Sequence, residues 1–339
     1  MTKSLLSHPL MVYKFDHGFD YPQFFDYYEK AVASVWRHQE VSLESDLRDW
    51  QHNISESERK LIAGVLRGFT SAELGIGCYW GETVCRIFAK PEVHAMARIF
   101  SAFEQIHAAA YNYLSDTLGL NEFEEFISDP VAKNKVERFF KDCESDKASL
   151  AVFSGAGEGV SLYSSFAILL AFSKDGRFKG LAQIISWSCL DEAQHSNGGS
   201  ELFRELVKEV GITNEEIDEI QSGFDAIIQN EFSFLDSIFS CVEGDVIPIA
   251  IDEIKAYIKL RANDRLANLG LTITIPMTGA ERLLAQNISD WFDPIVKGQI
   301  NHDFFARSKA GDSYISKPSQ DFLSVDLPSL DFDIDLTLA

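Results

Sequence analysis

Residues 103–111 read "FEQIHAAAY" and residues 191–195 read "DEAQH". Each stretch carries a glutamate followed three positions later by a histidine, Glu104 with His107 and Glu192 with His195. Side chains three apart on an α-helix lie on one face, and a single such pair is ordinary on a solvated surface. Both pairs here lie among apolar residues, where a lone carboxylate is costly to bury. Because a bound metal ion removes that cost, the two pairs together predict metal ligands.

Two further glutamates complete the pattern. Glu73 and Glu158 each precede one of the pairs by roughly thirty residues, which is the span of one helix, a turn and the return of the next helix at ~1.5 Å per residue. Four helices can thereby direct four carboxylates and two imidazoles to one point, the ligand set of a dinuclear site in a helical bundle. Hard oxygen donors with two imidazoles favour iron or manganese over metals that prefer thiolates.

The rest of the sequence predicts helix nearly throughout. Apolar residues recur at intervals of three and four, and strand-like alternation is almost absent. Helices are expected to stop at Gly119, Gly176 and Gly211. The glycines in "SGAGEGV" around Glu158 indicate a locally distorted helix rather than a phosphate loop, because no strand precedes them. The predicted fold class is therefore all-α, a helical bundle with a dinuclear metal site in its core.

The composition excludes several classes of function. Among 339 residues, 52 are acidic and 30 are basic, and the formal charge of −22 opposes binding to nucleic acid or to an anionic membrane. The five cysteines are widely spaced and form no CxxC pair, which predicts free thiols in a reducing cytoplasm rather than disulfides or a zinc site. No secretory signal is recognisable, and no apolar run reaches the ~18 residues of a membrane span. We therefore expect a soluble, cytoplasmic protein.

The chain divides into two predicted parts. Residues 1–306 form one helical domain, because nothing rich in proline or serine interrupts them. Residues 307–339 have no core-forming period, and their acids alternate with Phe, Leu and Ile. We expect this second part to be a flexible acidic tail that orders only on a partner.

At these residues the chain resembles a known family, the small, radical-generating subunit of class I ribonucleotide reductase, which has a ferritin-like fold. The resemblance extends from Val35 to the stretch that begins at Tyr257. The matching pieces are Trp36 in "VWRHQEV", Glu73, "FEQIHAAAY", "EGVSLYSSFA" and "DEAQH". The resemblance implies two metal ions, Fe/Fe by preference with Mn/Fe and Mn/Mn as alternatives. Their six ligands would be Glu73, Glu104, His107, Glu158, Glu192 and His195.

The resemblance also implies roles in electron transfer. Tyr111 would hold a stable radical, and it follows His107 by one helical turn, within reach of the metals. Trp36 and Asp191, together with His107, would pass the oxidising equivalent away from the metals. Tyr314 in the tail would relay it to the catalytic large subunit, on which the tail would dock.

The sequence departs from the family pattern at two positions. Many members have aspartate where this chain has Glu73, whereas subgroups that keep the oxidant on Mn/Fe or Mn/Mn often have glutamate there. Ser188 is more polar than the apolar residue expected beside the cofactor, while Leu162 and Phe166 would line an apolar pocket. The presence of both Glu73 and Tyr111 leaves the metals and the seat of the stored oxidant open.

The leading interpretation is the small subunit of ribonucleoside-diphosphate reductase. Its dimetal site would generate and store a one-electron oxidant for the large subunit, and the small subunit would be a homodimer. The alternative is a ligand-binding dimetal oxidase of the same fold, but that group carries a tyrosine where this chain has Phe153. A third interpretation is an iron-storage or purely structural bundle, in which Asp191, Trp36 and the tail have no role.

Overall fold

Every regular element in the described part of the chain is a helix. The computed structural model describes residues 18–67, 69–120, 130, 133, 135, 143–242 and 247–298. The all-α prediction is therefore confirmed. The predicted tail of residues 307–339, with Tyr314, lies outside the described residues.

The described residues contain α-helices, two short 3-10 helices (His38–Glu40 and Phe172–Asp175) and two π-helical segments. The α-helices of the described ranges are α1 (Pro22–Ala33), α2 (Glu44–His52), α3 (Glu56–Leu66), α4 (Phe69–Cys78), α5 (Cys85–Ile87), α6 (Pro91–Leu118), α7 (Asp146–Ala151), α8 (Tyr163–Ala171), α9 (Lys179–Val210), α10 (Asn214–Phe239), α11 (Ile251–Asn268) and α12 (Gly279–Val296). A first π-helical segment, Tyr79–Val84, joins α4 to α5, and a second, Val152–Ser161, joins α7 to α8. The second segment contains the glycines around Glu158, so the predicted helix distortion is confirmed.

Local sequence sets several helix boundaries. α3, α10 and α12 are each preceded by a serine or threonine as the capping residue. Its hydroxyl accepts a hydrogen bond from the backbone N–H three residues later, and the glutamate at that later position accepts one from the backbone N–H of the capping residue. These capping pairs are Ser55 with Glu58, Thr213 with Glu216 and Thr278 with Glu281. The predicted stops are also confirmed, because a glycine with positive φ follows each helix, at Gly119, Gly176 and Gly211.

Four helical runs pack side by side to form the core. They are α4, α6, α9 and the continuous run Asp146–Asp175, which includes α7, the second π-helical segment and α8. α4 packs on α6, α6 packs on α9, and α9 packs on the run Asp146–Asp175. α10 and α11 cover the second π-helical segment from outside, and α1 lies against α6. The four central runs carry all six predicted ligands.

One helix is long and apolar enough to cross a membrane. It is the run Asp146–Asp175, whose most apolar stretch is completely buried inside the bundle. A helix that is apolar all round can be the core helix of a large protein, where neighbours cover every face. The run is therefore a core element of the bundle.

Candidate metal centre

The six predicted ligands converge in the core and form two overlapping clusters. The first cluster is Glu73, Glu104, His107 and Glu192, and the second is Glu104, Glu158, Glu192 and His195. Within each cluster, one ligand atom per residue lies within 4.8 Å of the others, and every side chain is buried. Two helices thus give one glutamate each and two give a Glu-x-x-His pair, as in dinuclear carboxylate proteins.

Each histidine directs its Nδ1 atom at carboxylates of two helices. His107 Nδ1 lies 3.1 Å from Oε2 of Glu104 on its own helix and 2.9 Å from Oε1 of Glu192 on α9. His195 Nδ1 lies 3.1 Å from Oε2 of Glu192 on its own helix and 2.8 Å from Oε1 of Glu104 on α6. Nδ1 is therefore the ring atom that each imidazole would offer to a metal ion.

Several carboxylate oxygens in the clusters form no well-aligned hydrogen bond among the described residues. They are both oxygens of Glu73, Oε1 of Glu104, Oε2 of Glu158 and Oε1 of Glu192. Of these, Oε1 of Glu104 and Oε1 of Glu192 lie 2.8 and 2.9 Å from a histidine Nδ1. An unsatisfied buried polar group costs about 1–3 kcal/mol, and a charged one costs more. Because these oxygens converge with two imidazole nitrogens, the residues present fit a pair of iron or manganese ions.

The pKa values of the clustered groups follow from burial and from their mutual interactions. Burial raises the pKa of Glu158 well above its usual range, and the neighbouring Glu192 and Glu104 raise it further. Burial also raises the pKa of Glu73, against the opposing effect of His107. For His195, burial favours the neutral ring, but Glu104 and Glu192 outweigh it and raise the pKa to about 9. Without metal, the site therefore retains protons that a metal ion would displace.

A hydrogen-bonded chain connects the first cluster to Trp36. Nε2 of His107 lies 3.3 Å from Oδ2 of Asp191, and the same oxygen accepts a hydrogen bond from Trp36 Nε1 at 2.8 Å. The rings of Trp36 and His107 stack with centroids 5.9 Å apart. An acid on the far nitrogen of a ligand imidazole fixes the ring orientation, here with Nδ1 toward the carboxylates. The structure thus brings together the three residues that the resemblance assigns to one route.

Tyr111 lies one turn beyond His107, with the ring centroids 6.3 Å apart. Its side chain is fully buried, and burial raises the pKa of the phenol well above its usual value. The hydroxyl forms no well-aligned hydrogen bond within the described ranges. The hydroxyl of Ser188 is close enough to lower the pKa of Tyr111, but the two groups are not aligned as donor and acceptor. Tyr111 therefore occupies a dry position beside the first cluster.

Phe69 connects Tyr111 to the apolar wall, although the sequence pattern did not indicate it. The centroid of its ring lies 4.8 Å from that of the Tyr111 ring and 5.7 Å from that of the Phe166 ring. Phe166 and Leu162, which were expected to line the pocket, are both fully buried. A phenylalanine near the start of a helix carries no signal that separates such a role from ordinary core packing.

Trp80 is a second residue that the sequence pattern did not indicate. It lies in the first π-helical segment, is fully buried, and donates its indole N–H to Oε1 of Glu158. Trp80 follows Glu73 by about two helical turns, and this spacing is the sequence signal that could have placed it near the metals.

Known proteins are similar to this chain in sequence and in fold. The family model described as ribonucleotide reductase, small chain, matches residues 17–276. A probable ribonucleoside-diphosphate reductase small subunit of Invertebrate iridescent virus 3 is 29% identical over 85% of this chain and 81% of its own length. The ribonucleoside-diphosphate reductase small chain of Plasmodium falciparum is 26% identical over 86% of this chain and 80% of its own length.

Solved structures agree in fold at low sequence identity. The dimanganese(II) NrdF of Streptococcus sanguinis is 20% identical with a TM-score of 0.69, and the alignment covers 86% of this chain and 99% of that one. The R2 subunit from Clostridium botulinum is 19% identical with a TM-score of 0.70, over 82% of this chain and 89% of that one. These likenesses show the ferritin-like fold, and the family match spans most of the sequence. The chain therefore belongs to the ribonucleotide reductase small chain family, and its function is that of a ribonucleoside-diphosphate reductase small subunit.

Proposed function

We propose that this small subunit holds two metal ions between α4, α6, α9 and the run Asp146–Asp175. Its ligands would be Glu73, Glu104, His107, Glu158, Glu192 and His195. When bound, the ions supply the one-electron oxidant that a large subunit uses to reduce ribonucleotides. The observation that carries this proposal is the overlap of the two clusters, in which Glu104 and Glu192 each face both histidines.

Iron at both positions is the proposed metal pair. Four carboxylates and two imidazoles suit iron and manganese alike, so the donor set does not separate Fe/Fe from Mn/Fe or Mn/Mn. The glutamate at position 73, rather than the aspartate of many members, keeps the manganese-containing pairs as alternatives. Metal analysis with electron paramagnetic resonance on protein from its native host distinguishes the three.

Tyr111 is the proposed seat of the stored oxidant. Its ring lies beside His107, and its hydroxyl is buried away from water and from reductants in solution. Phe69 packs against one side of the ring. A phenol kept beside a strong oxidant without being used would invite damaging side reactions, which favours Tyr111 over storage on the metals.

The oxidising equivalent would leave through His107, Asp191 and Trp36. Trp36 is fully buried and makes ring contact with His107, which gives electrons a short path from Trp36 to the first cluster. When Trp36 loses an electron, Oδ2 of Asp191 is placed to accept its indole proton, because it already receives the N–H hydrogen bond. Asp191 would thus serve both as the orienting partner of His107 and as the proton acceptor of Trp36.

The partner of a small subunit in this family is the large, catalytic subunit. We propose that residues 307–339 form a tail distinct from the helical domain of residues 1–306, and that the tail docks on that subunit and presents Tyr314. The small subunit itself would be a homodimer in the cytoplasm. The Rnr4 protein of Saccharomyces cerevisiae, a homodimer in its solved structure, shares the fold with a TM-score of 0.67.

Reconstitution tests the proposed function. The metal-loaded protein is combined with the large subunit of the same organism, a reductant and a ribonucleoside diphosphate, and formation of the deoxyribonucleotide is measured. We expect turnover only when both proteins are present. Trp36→Phe should keep both metals and lose nearly all turnover, whereas the half-buried Trp291→Phe on α12 serves as the matched control and should stay active. Full turnover of Trp36→Phe would remove the proposed route.

A further inference from the structure

The two π-helical segments meet at Glu158. The rings of Tyr79 and Phe153, one from each segment, stack with centroids 3.7 Å apart. The neighbouring residue of the first segment, Trp80, has its ring 5.4 Å from Phe153 and donates its N–H to Glu158. Helix distortions of this kind are frequent at functional sites. Here both distortions converge on the one glutamate that belongs only to the second cluster.

The hydrogen bond makes the two oxygens of Glu158 unequal. Oε1 accepts the indole N–H of Trp80, while Oε2 has no hydrogen-bond partner in the described part of the chain and lies 3.9 Å from His195 Nδ1. Glu73 holds the matching place in the first cluster, and neither of its oxygens has a hydrogen-bond partner there. Glu158 belongs only to the second cluster and Glu73 only to the first. The two clusters therefore differ in how this unshared glutamate is held.

The position of Trp80 is fixed by its surroundings. Its ring is fully buried and meets Phe100 edge to face at 5.1 Å. On the other side, α9 presents Gly199, where an added Cβ would lie 3.1 Å from the Trp80 ring and 2.4 Å from Cβ of Ser154. The absence of a side chain at Gly199 leaves room for the indole, and a buried indole N–H normally requires an acceptor. Glu158 is that acceptor.

We propose that Trp80 is a positioning residue that makes Glu158 a ligand through one oxygen, and so sets the metal position beside His195 apart from the position beside His107. A hydrogen bond to an ionised acceptor is among the strong ones, and it fixes the carboxylate with Oε2 toward the site. Loss of such an outer partner typically weakens metal binding by about 10–100-fold. This inference rests on the proposed ligands but not on the seat of the oxidant or on catalysis.

Binding of Mn(II) to the metal-free, full-length protein tests the inference. In Trp80→Phe, which removes the donor and keeps a large ring, we expect one of the two Mn(II) ions to bind about tenfold more weakly and the other to bind as in the wild type. The control is Trp50→Phe on α2, which removes another buried indole that contacts Arg59 rather than a predicted ligand. Unchanged binding of both ions in Trp80→Phe would overturn the inference, as would equal weakening of both, which indicates a general packing defect.

A second variant removes the hydrogen bond while keeping the shape of the ring. Replacing Trp80 with 3-benzothienylalanine puts sulfur in place of the indole N–H. We expect the same selective loss at one position as in Trp80→Phe. If the wild type binds two ions and this variant binds both as tightly, the role of Trp80 is wrong while the proposed ligands stand. If the wild type itself binds no Mn(II), both the ligand assignment and this inference fail.

Discussion

The Glu104 carboxylate of α6 reaches the histidine of the opposite helix, with its Oε1 2.8 Å from Nδ1 of His195 on α9. Glu192 makes the reciprocal contact, with its Oε1 2.9 Å from Nδ1 of His107 on α6. Each of the two helices thus places a carboxylate against the histidine of the other helix. Each of these two glutamates belongs to both clusters, so the six predicted ligands are not equivalent.

Replacing a glutamate that belongs to both clusters should remove more metal than replacing a glutamate that belongs to only one. We expect Glu104→Ala to lose both ions, because its carboxylate faces both histidines, and Glu73→Ala to lose mainly the ion beside His107. Helix content by circular dichroism should stay close to that of the wild type, since the packing of the bundle is spread over the whole core. Metal content per chain after dialysis measures the difference. Retention of two ions by Glu104→Ala would contradict the site assignment.

Tyr111→Phe tests where the oxidant is stored. The change removes only the hydroxyl group, which forms no well-aligned hydrogen bond in the described structure. Packing and metal content should therefore be preserved. We expect the variant to lose any organic radical signal in electron paramagnetic resonance and nearly all turnover with the large subunit. Substantial turnover, together with a mixed-valent metal signal and no organic radical in the wild type, would instead place the oxidant on the metals.

Metal affinity should rise with pH. In the metal-free protein, burial disfavours the charged ring of His195, but Glu104 and Glu192 outweigh burial and raise its pKa from 6.5 to about 9. Because a ligand imidazole must be neutral, Mn(II) displaces this proton below pH 9. Each displaced proton should raise the affinity by up to about tenfold per pH unit until the pKa of its group is passed. Mn(II) titrations monitored by electron paramagnetic resonance between pH 6.5 and 9 measure the slope. An Mn(II) affinity that does not change with pH would contradict the displacement of protons by the metal.

The same shift has the opposite consequence for the stability of the metal-free fold. The unfolded polypeptide binds this proton with the ordinary pKa of 6.5, so the stabilisation by protonated His195 is complete below 6.5 and is lost as pH rises through about 9. The raised pKa values of Glu73 and Glu158 act in the same direction. The Tm of the metal-free protein should therefore fall over this range, and metal loading should abolish the fall. A Tm of the metal-free protein that rises with pH would contradict this sign.

Removing residues 318–339 should separate metal binding from association. This part of the sequence interleaves acids with apolar side chains such as Phe322, Leu327 and Phe332, a pattern typical of a segment that orders in a partner's groove. We expect the truncated protein to keep its full metal content and to lose binding to the large subunit, measured by gel filtration and by turnover at ordinary subunit concentrations. A truncated protein that still supports normal ribonucleotide reduction would contradict the docking role.

The sequence predicts most of the central bundle because its signals are local. The spacing in "FEQIH" and "DEAQH" puts each Glu and His on one helix face, and the structure brings these four side chains together with Glu73 and Glu158. The glycines around Glu158 predicted a distorted helix, and a π-helical segment lies there. Trp80 and Phe69 could not be found in this way, because their roles depend on which distant helix each ring faces. Composition and period do not encode that relationship.

The run Asp146–Asp175 has a consequence for the protein before it folds. All of its most apolar window is buried in the native bundle, and its composition is that of a membrane-spanning segment. A newly made polypeptide exposes this segment until α9, α10 and α11 are synthesised and cover it, since all three follow it in the sequence. During that interval the segment is a site for aggregation or for chaperone binding. Glu158, near its midpoint, opposes insertion into a bilayer, where a central acidic residue such as aspartate costs about 2.5–3.5 kcal/mol. The carboxylate proposed to hold a metal in the finished protein thus also helps to keep the nascent polypeptide in water.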